Sequence, residues 1–241
     1  MAAGVRPEAK KPSAMFLPSD QKILPLENGD HLNRVEFERR YAAMPHLKKA
    51  ELIEGVVHLS SAVRFASHAE PHALLITWLG VYRAATPGVR LGDNATVRLD
   101  GDNEPQPDAL LRLDPAVGGR SRLSGDGYVE GAPELVVEIA ASSASYERNL
   151  KLCAYRSNGV QEYLLWLVEE QRLEWFYLEQ GEYALLSPDE QGTLCSRIFP
   201  GLCLAVSALL AGDLAQVLGT VQQRLDTPEY RAFSNRMRSE L

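Results

Sequence analysis

Cysteine is scarce in this chain of 241 residues: there are three, Cys153, Cys195 and Cys203, and no Cys-x-x-Cys pair among them. An odd count without paired spacing gives neither a disulfide framework nor a zinc ribbon. All three are expected to be small buried hydrophobes in a reducing compartment. Long apolar runs are missing too; the longest, around Leu202 to Ala211, falls short of a membrane span. The opening residues Met-Ala-Ala-Gly-Val-Arg-Pro-Glu-Ala-Lys-Lys-Pro lack the apolar centre of a signal peptide, so the cytoplasm is the expected location. A basic excess is also absent. The formal charge of -7 argues against indiscriminate coating of nucleic acid, whose affinity comes mainly from phosphate neutralisation. It leaves room for a local basic surface beside an acidic site. No phosphate-binding Gly loop, dinucleotide fingerprint or nucleophile elbow occurs.

What is present is an ordinary globular composition, 45% apolar and 24% charged. Residues 1–30, rich in Pro, Lys and small side chains, read as a mobile arm. Residues 31–210 read as one α/β (α+β) domain, and residues 211–241 as a C-terminal helical extension. Within the domain, Asn33 caps a short helix, and Glu51-Leu-Ile and Val56-Val-His-Leu59 make two strands around Glu54-Gly55. Ser67-x-x-Glu70 with Pro71 predicts a capping box opening a helix, which Pro87-Gly88 ends. Further strands are expected over 95–99, 108–113, 128–130, 134–139, 161–168, 172–178 and 183–186. A second helix is expected from Ser143 to Asn158-Gly159.

Three residues carry the chemical signal. Glu138 interrupts the apolar run Glu134-Leu-Val-Val-Glu138-Ile-Ala. Apolar residues on both faces of that strand imply cover on both sides. An ionised carboxylate there is costly unless it is paired, hydrogen-bonded or bound to a cation. A structural Glu–Arg ion pair is the plain alternative. Asp108 follows the polar turn Gly101-Asp-Asn-Glu-Pro-Gln-Pro107 and opens Ala109-Leu-Leu; a turn or strand-edge cap would also account for it. Lys151 stands on the second helix, where Tyr146, Leu150, Cys153 and Ala154 make the apolar stripe and Glu147, Lys151 and Tyr155 an i, i+4 ladder at its border. There it either pairs with Glu147 at the surface or leans toward Glu138. Two carboxylates and an ammonium suit metal-dependent phosphodiester hydrolysis. The cation would lower the pKa of bound water and clamp phosphate oxygens, with the lysine stabilising developing charge. Oxygen-only ligands favour Mg2+ or Mn2+ over zinc.

Pro107-Asp108, Glu134-Leu-Val-Val-Glu138-Ile, Lys151 and Tyr155-x-x-x-Gly159-Val160-x-Glu162-Tyr163-x-x-Trp166 together resemble the Uma2 restriction endonucleases of the PD-(D/E)XK nuclease superfamily. Glu51-Leu-Ile-Glu54-Gly55 is similar to that family's opening strand motif. The resemblance covers roughly residues 34–205 and implies a restriction-endonuclease-like central mixed sheet flanked by helices. It further implies metal ligation by Asp108 and Glu138, with Lys151 in the place of the superfamily lysine, which usually follows the Glu by two residues, here Ala140. The chain departs from the family at Ala140-Ala-Ser-Ser-Ala, which replaces Ser-Pro-Ser-Thr, and at Glu147 and Glu169, each replacing Asp.

Accessory candidates are Glu54, which either reaches the metal or is a turn carboxylate, Glu147, and His72. His68 and His72 lack the His-Glu-x-x-His pattern, and Pro71 places them at a helix start rather than on one helical face. One of them is expected to border the cleft. Trp166, Trp175 and Phe176 read as packing rather than base stacking. Arg112, Arg120 and Arg122 flank a Gly/Ser loop and could touch phosphates, with solvation the default. The expected function is a Mg2+- or Mn2+-dependent endonuclease acting on DNA, possible as a homodimer. The alternative is a catalytically silent nuclease fold serving as a nucleic-acid-binding or dimerisation module.

Overall fold

The computed structural model describes residues 23–60, 62–140 and 147–241, with the side chains of Glu147 and Arg148 outside that description. Its strands in chain order are β1 (Ala50–Ile53), β2 (Val56–Leu59), β3 (Val89–Asp93), β4 (Val97–Arg98), β5 (Ala109–Leu113), β6 (Arg122–Leu123), β7 (Val129–Glu130), β8 (Leu135–Ala140) and β9 (Glu162–Leu167). They continue as β10 (Arg172–Glu179), β11 (Glu182–Leu185), β12 (Thr193–Cys195) and β13 (Cys203–Ala205). The α-helices are α1 (Arg34–Ala42), α2 (Glu70–Ala85), α3 (Leu152–Ser157), α4 (Val206–Leu210), α5 (Leu214–Arg224) and α6 (Pro228–Glu240).

A central mixed sheet runs in the order β11-β10-β9-β8-β5-β3. Its β8–β9 pair is parallel and the other pairs are antiparallel. All of β8 is buried, as its two-sided apolar pattern requires. Leu135, Val137 and Ile139 join one core with Leu75, Trp78, Leu79 and Tyr82 of α2. Val136 and Ala140 face the opposite way, into a second core with Tyr155, Val160, Tyr163 and Leu165. Trp78 is fully buried and donates its indole N–H to the Cys203 carbonyl at 3.0 Å, so α2 also fastens the β12–β13 hairpin. Truncating such a Trp costs about 3–5 kcal/mol.

Residues 1–22 lie outside the described residues, but 23–30, placed with the arm by composition, pack onto the domain. Leu26 is buried with Phe37, Leu52 and Val57, and the Gly29 N–H bonds to the Val57 carbonyl. At the other end, Val217, Val221, Tyr230, Phe233 and Met237 of α5 and α6 enter the main core.

Among the described residues, one helix start differs from the sequence expectation. Asn33 caps α1 as predicted, accepting from the Glu36 N–H at 3.0 Å. The Ser67 capping box does not form. A π-helical turn, Phe65–Ala69, runs directly into α2, so Ser67 lies inside a turn and Ala69 precedes the α-helix with helical dihedrals. The start of the second predicted helix, Ser143, lies outside the described residues. What is described begins as another π-turn, Glu147–Lys151, before α3. That turn changes the helical phase. Leu150 and Cys153, assigned to the apolar stripe, are exposed, whereas Lys151 and Tyr155, assigned to its border, are buried.

The cysteine reading is corrected. Antiparallel pairing puts Cys195 directly opposite Cys203, with Cα atoms 4.1 Å apart, and the two form a disulfide. The short strands around Pro200-Gly201 give little sequence signal for their register, which is why the pairing was not anticipated. Cys153 remains a free thiol. A thiol-specific reagent applied to the native, unreduced protein should titrate one thiol per chain, and full reduction should reveal three in all. Three reactive thiols before reduction would contradict the pairing.

Candidate active site

Register explains why Asp108 and Glu138 meet. β5 and β8 pair antiparallel through Ala109 and Val137. The pairing ends at Ala109, with Asp108 just before it and Glu138 just after Val137. Pro107 has no N–H to give, so the regular ladder stops there. The Asp108 carboxylate takes over: its Oδ2 accepts the Ile139 N–H at 2.8 Å. Two carboxylates thus come together where β5 and β8 leave their pairing, near enough for the Asp108 charge to act on Glu138. Asp108 is 3% exposed and Glu138 2%.

Lys151 is as buried as the acids, and its Nζ lies 2.9 Å from Glu138 Oε1 and 2.9 Å from Glu51 Oε1. The Tyr155 hydroxyl donates to the same Glu138 oxygen at 2.7 Å. The i, i+4 spacing of Lys151 and Tyr155 brings both to Glu138 from one side. Glu51 Oε1 also accepts the Gln106 N–H at 2.7 Å, which joins the β1–β2 hairpin to the turn before Asp108.

Asp108 has a cationic side of its own. Lys49 Nζ stands 3.7 Å and His68 Nε2 3.4 Å from its Oδ1. His68 Nδ1 faces the Ile139 carbonyl at 3.2 Å, so both ring nitrogens meet acceptors and the imidazolium is the form best satisfied. His72 Nε2 donates to the Asp108 carbonyl at 2.9 Å and lies 3.2 Å from Asp93 Oδ1. The two imidazoles stack with centroids 6.0 Å apart. The π-turn running into α2 therefore places them on one face, contrary to the reading drawn from Pro71.

These surroundings push the two acids in opposite directions. Burial pushes Glu138 up, with Lys151 pulling down and the Asp108 and Glu51 charges adding upward pressure, to about 7. For Asp108, burial also works upward, but the His68 hydrogen bond and the Lys49 charge outweigh it and leave the carboxyl below its usual range. The same His68–Asp108 contact raises His68. Burial and the Glu138 charge hold the Tyr155 phenol far up, so it remains a donor.

The pair opens onto a cavity of about 720 Å³, lined among others by Lys49, Glu51, Arg64, His68, His72, Asp108, Glu138 and Lys151. Among the described residues no group of three or more His, Cys, Asp and Glu is arranged to hold an ion. The donors lining it are nonetheless hard oxygens, the carboxylates of Asp108 and Glu138. Mg2+ commonly binds through one or two carboxylates while water and substrate phosphates complete its shell. Asp108 and Glu138 fit that pattern; a zinc site has no thiolate here and no set of three imidazoles.

Of the accessory candidates, His72 lines the cavity. Glu54 does not reach it: at φ 51°, followed by Gly55 at φ 74°, it occupies the β1–β2 turn and is exposed. The carboxylate that enters is Glu51, three residues earlier. The argument used for Glu138 would have found it, since Ala50-Glu-Leu-Ile53 is buried throughout. Lys49 carried no periodic signal and was missed. The Glu147 side chain lies outside the described residues. Arg112 is buried and bonds to Ser121, whereas Arg120 and Arg122 are exposed, Arg120 bonded to the Gly159 carbonyl and Arg122 to Glu130. Trp166, Trp175 and Phe176 are buried, as expected.

Lys151→Met would leave Glu138 and Glu51 facing each other without their shared cation. Breaking a buried pair this way should cost about 3–5 kcal/mol, read as a lower urea midpoint at unchanged m-value. Adding Glu51→Gln should recover part of that loss. A stability indistinguishable from the parent would contradict the arrangement.

Comparison with solved structures gives a match to a "putative nuclease belonging to DUF820" from Anabaena variabilis ATCC 29413, with a TM-score of 0.51 and 15% identity over 76% of this chain and 97% of that one. At that identity the likeness speaks for the fold. No curated protein matches the chain. The family model for Uma2, described as "Putative restriction endonuclease", matches residues 34–207. That span takes in well over half of the chain, and the protein belongs to the Uma2 family.

Proposed function

We propose that this protein is an endonuclease that hydrolyses DNA phosphodiester bonds with Mg2+ or Mn2+ held by Asp108 and Glu138. The observation that carries the reading is the cavity at the end of the β5–β8 pairing, which is lined by two buried carboxylates, Asp108 and Glu138, together with Lys49 and Lys151. When bound there, the divalent ion supplies charge neutralisation and a more acidic water. The chain's own groups do the rest.

Asp108 is ionised throughout the physiological range and fixed by the Ile139 N–H, so it presents a directed negative charge. Lys151 and Tyr155 grip one oxygen of Glu138, which orients the carboxylate without a search through rotamers. Lys151 also offsets part of the repulsion that burial imposes on Glu138 and Glu51. Lys49 immediately precedes β1 and its side chain is 24% exposed against 2% for Lys151, which makes it the ammonium better placed to meet a substrate phosphate. Lys151 then acts by holding Glu138 in position, and Lys49 by stabilising charge on the phosphate. The surrounding walls limit water around these charges and strengthen each interaction.

Titration with Mn2+ tests the site directly. The parent protein should bind, and Asp108→Ala and Glu138→Ala should each abolish binding. Protons compete with the ion for Glu138, so with its carboxyl near 7 the affinity should fall about tenfold per unit as pH drops below that value and level off above it. Nicking of supercoiled plasmid should follow the same carboxylates. Absence of Mn2+ binding in the parent would leave a nuclease fold serving as a binding module.

A further inference from the structure

The segment beside the cavity carries two exposed apolar residues that the core does not use, Val63, which lines the cavity, and Phe65, two residues on. Val63 and Phe65 are 67% and 72% exposed, among the highest values for large hydrophobic side chains in the described residues. Arg64 stands between them and lines the cavity, as do Ser67 and His68 just beyond. This segment is anchored to the site. Phe65 begins the π-turn whose His68 meets both Asp108 and the Ile139 carbonyl, so the Phe ring and the carboxylates belong to one fixed frame.

We propose that the substrate of this site is an unpaired DNA strand, with a base stacked on Phe65 and the adjoining phosphates held by Arg64 and Lys49. The inference rests on the nuclease reading and specifies the form of DNA that enters. Charge favours a polyanion at this point and over a short length. The molecule as a whole is at -7, yet Lys49 and Arg64, the residue preceding Phe65, both line the cavity. Burial favours a strand over a duplex. Asp108 and Glu138 are only 2–3% exposed, so a scissile phosphate must leave the outer surface of a helix and enter the cavity to reach them. In a duplex the faces of the bases are already stacked; an unpaired base offers a face that an aromatic side chain can take without regard to sequence.

Fluorescence anisotropy with a labelled 20-nucleotide oligothymidylate and a labelled 20-base-pair duplex, both in Ca2+, tests this on the full chain. The single strand should bind at least about tenfold more tightly than the duplex. Phe65→Ala should weaken single-strand binding about 5- to 100-fold, the range of one base–aromatic stack, and Phe65→Tyr should retain it. Lys49→Ala and Arg64→Ala should each lower the magnitude of the salt slope for the single strand by about 0.7. Equal or tighter duplex binding, or a Phe65→Ala variant with parental affinity, would overturn the proposal. So would sedimentation showing a dimer that Phe65→Ala converts to monomer, since the ring would then serve a second copy of the chain. Phe65→Ala should keep parental Mn2+ affinity. Unchanged oligonucleotide binding beside intact Mn2+ binding defeats the strand inference alone, whereas no Mn2+ binding in the parent defeats the nuclease reading beneath it.

Discussion

Lys151 places a full positive charge at a point with almost no access to water, 2.9 Å from carboxylate oxygens of Glu138 and Glu51. Removing three ionised groups from solvent is expensive, and mutual attraction offsets that cost only when the geometry is good and the remaining atoms are hydrogen-bonded. Here Tyr155 and the Gln106 N–H supply further bonds. The consequence is architectural as well as electrostatic. Glu138 belongs to the central sheet, Glu51 to the separate β1–β2 hairpin, and Lys151 to the π-turn that leads into α3. One ammonium therefore ties three elements together at the place where the cavity opens.

The same arrangement divides the two acids and the two lysines by role. Asp108, with His68 and Lys49 beside it, holds its negative charge readily, while burial, with the Asp108 and Glu51 charges adding to it, pushes the Glu138 carboxyl up against the pull of Lys151. A divalent cation would relieve that pressure. Lys151 is committed to its carboxylates, whereas Lys49 touches Asp108 loosely, at 3.7 Å, and retains access to the cavity.

Much of this was legible in the chain itself. The two-sided apolar run around Glu138 announced a strand buried on both faces and a carboxylate in need of a partner, and the structure places it so. Most strands of the central sheet and the C-terminal helices follow their periodic patterns, whereas β3 (Val89–Asp93), at the edge of that sheet, was not expected. The failures share a cause in backbone details that spacing does not encode. Two π-turns shift helical phase, which inverted the assignments of Leu150 and Lys151 and hid the alignment of His68 with His72. Positive dihedrals at Glu54 and Gly55 turned the conspicuous acid outward and left the inconspicuous Glu51 inside. The disulfide depended on the register of two three-residue strands, and Lys49 on where the first strand begins relative to Asp108.

Crystals of the parent protein soaked in Mn2+, with anomalous scattering recorded, bear most directly on the central claim that Asp108 and Glu138 form one hard-cation site organised by Lys151. The account predicts an anomalous peak in contact with both carboxylates, with Lys151 still bonded to Glu138. No peak there at saturating Mn2+, or a peak instead at the acidic residues around Arg98 (Glu38, Glu104, Asp126 and Glu130), would contradict it.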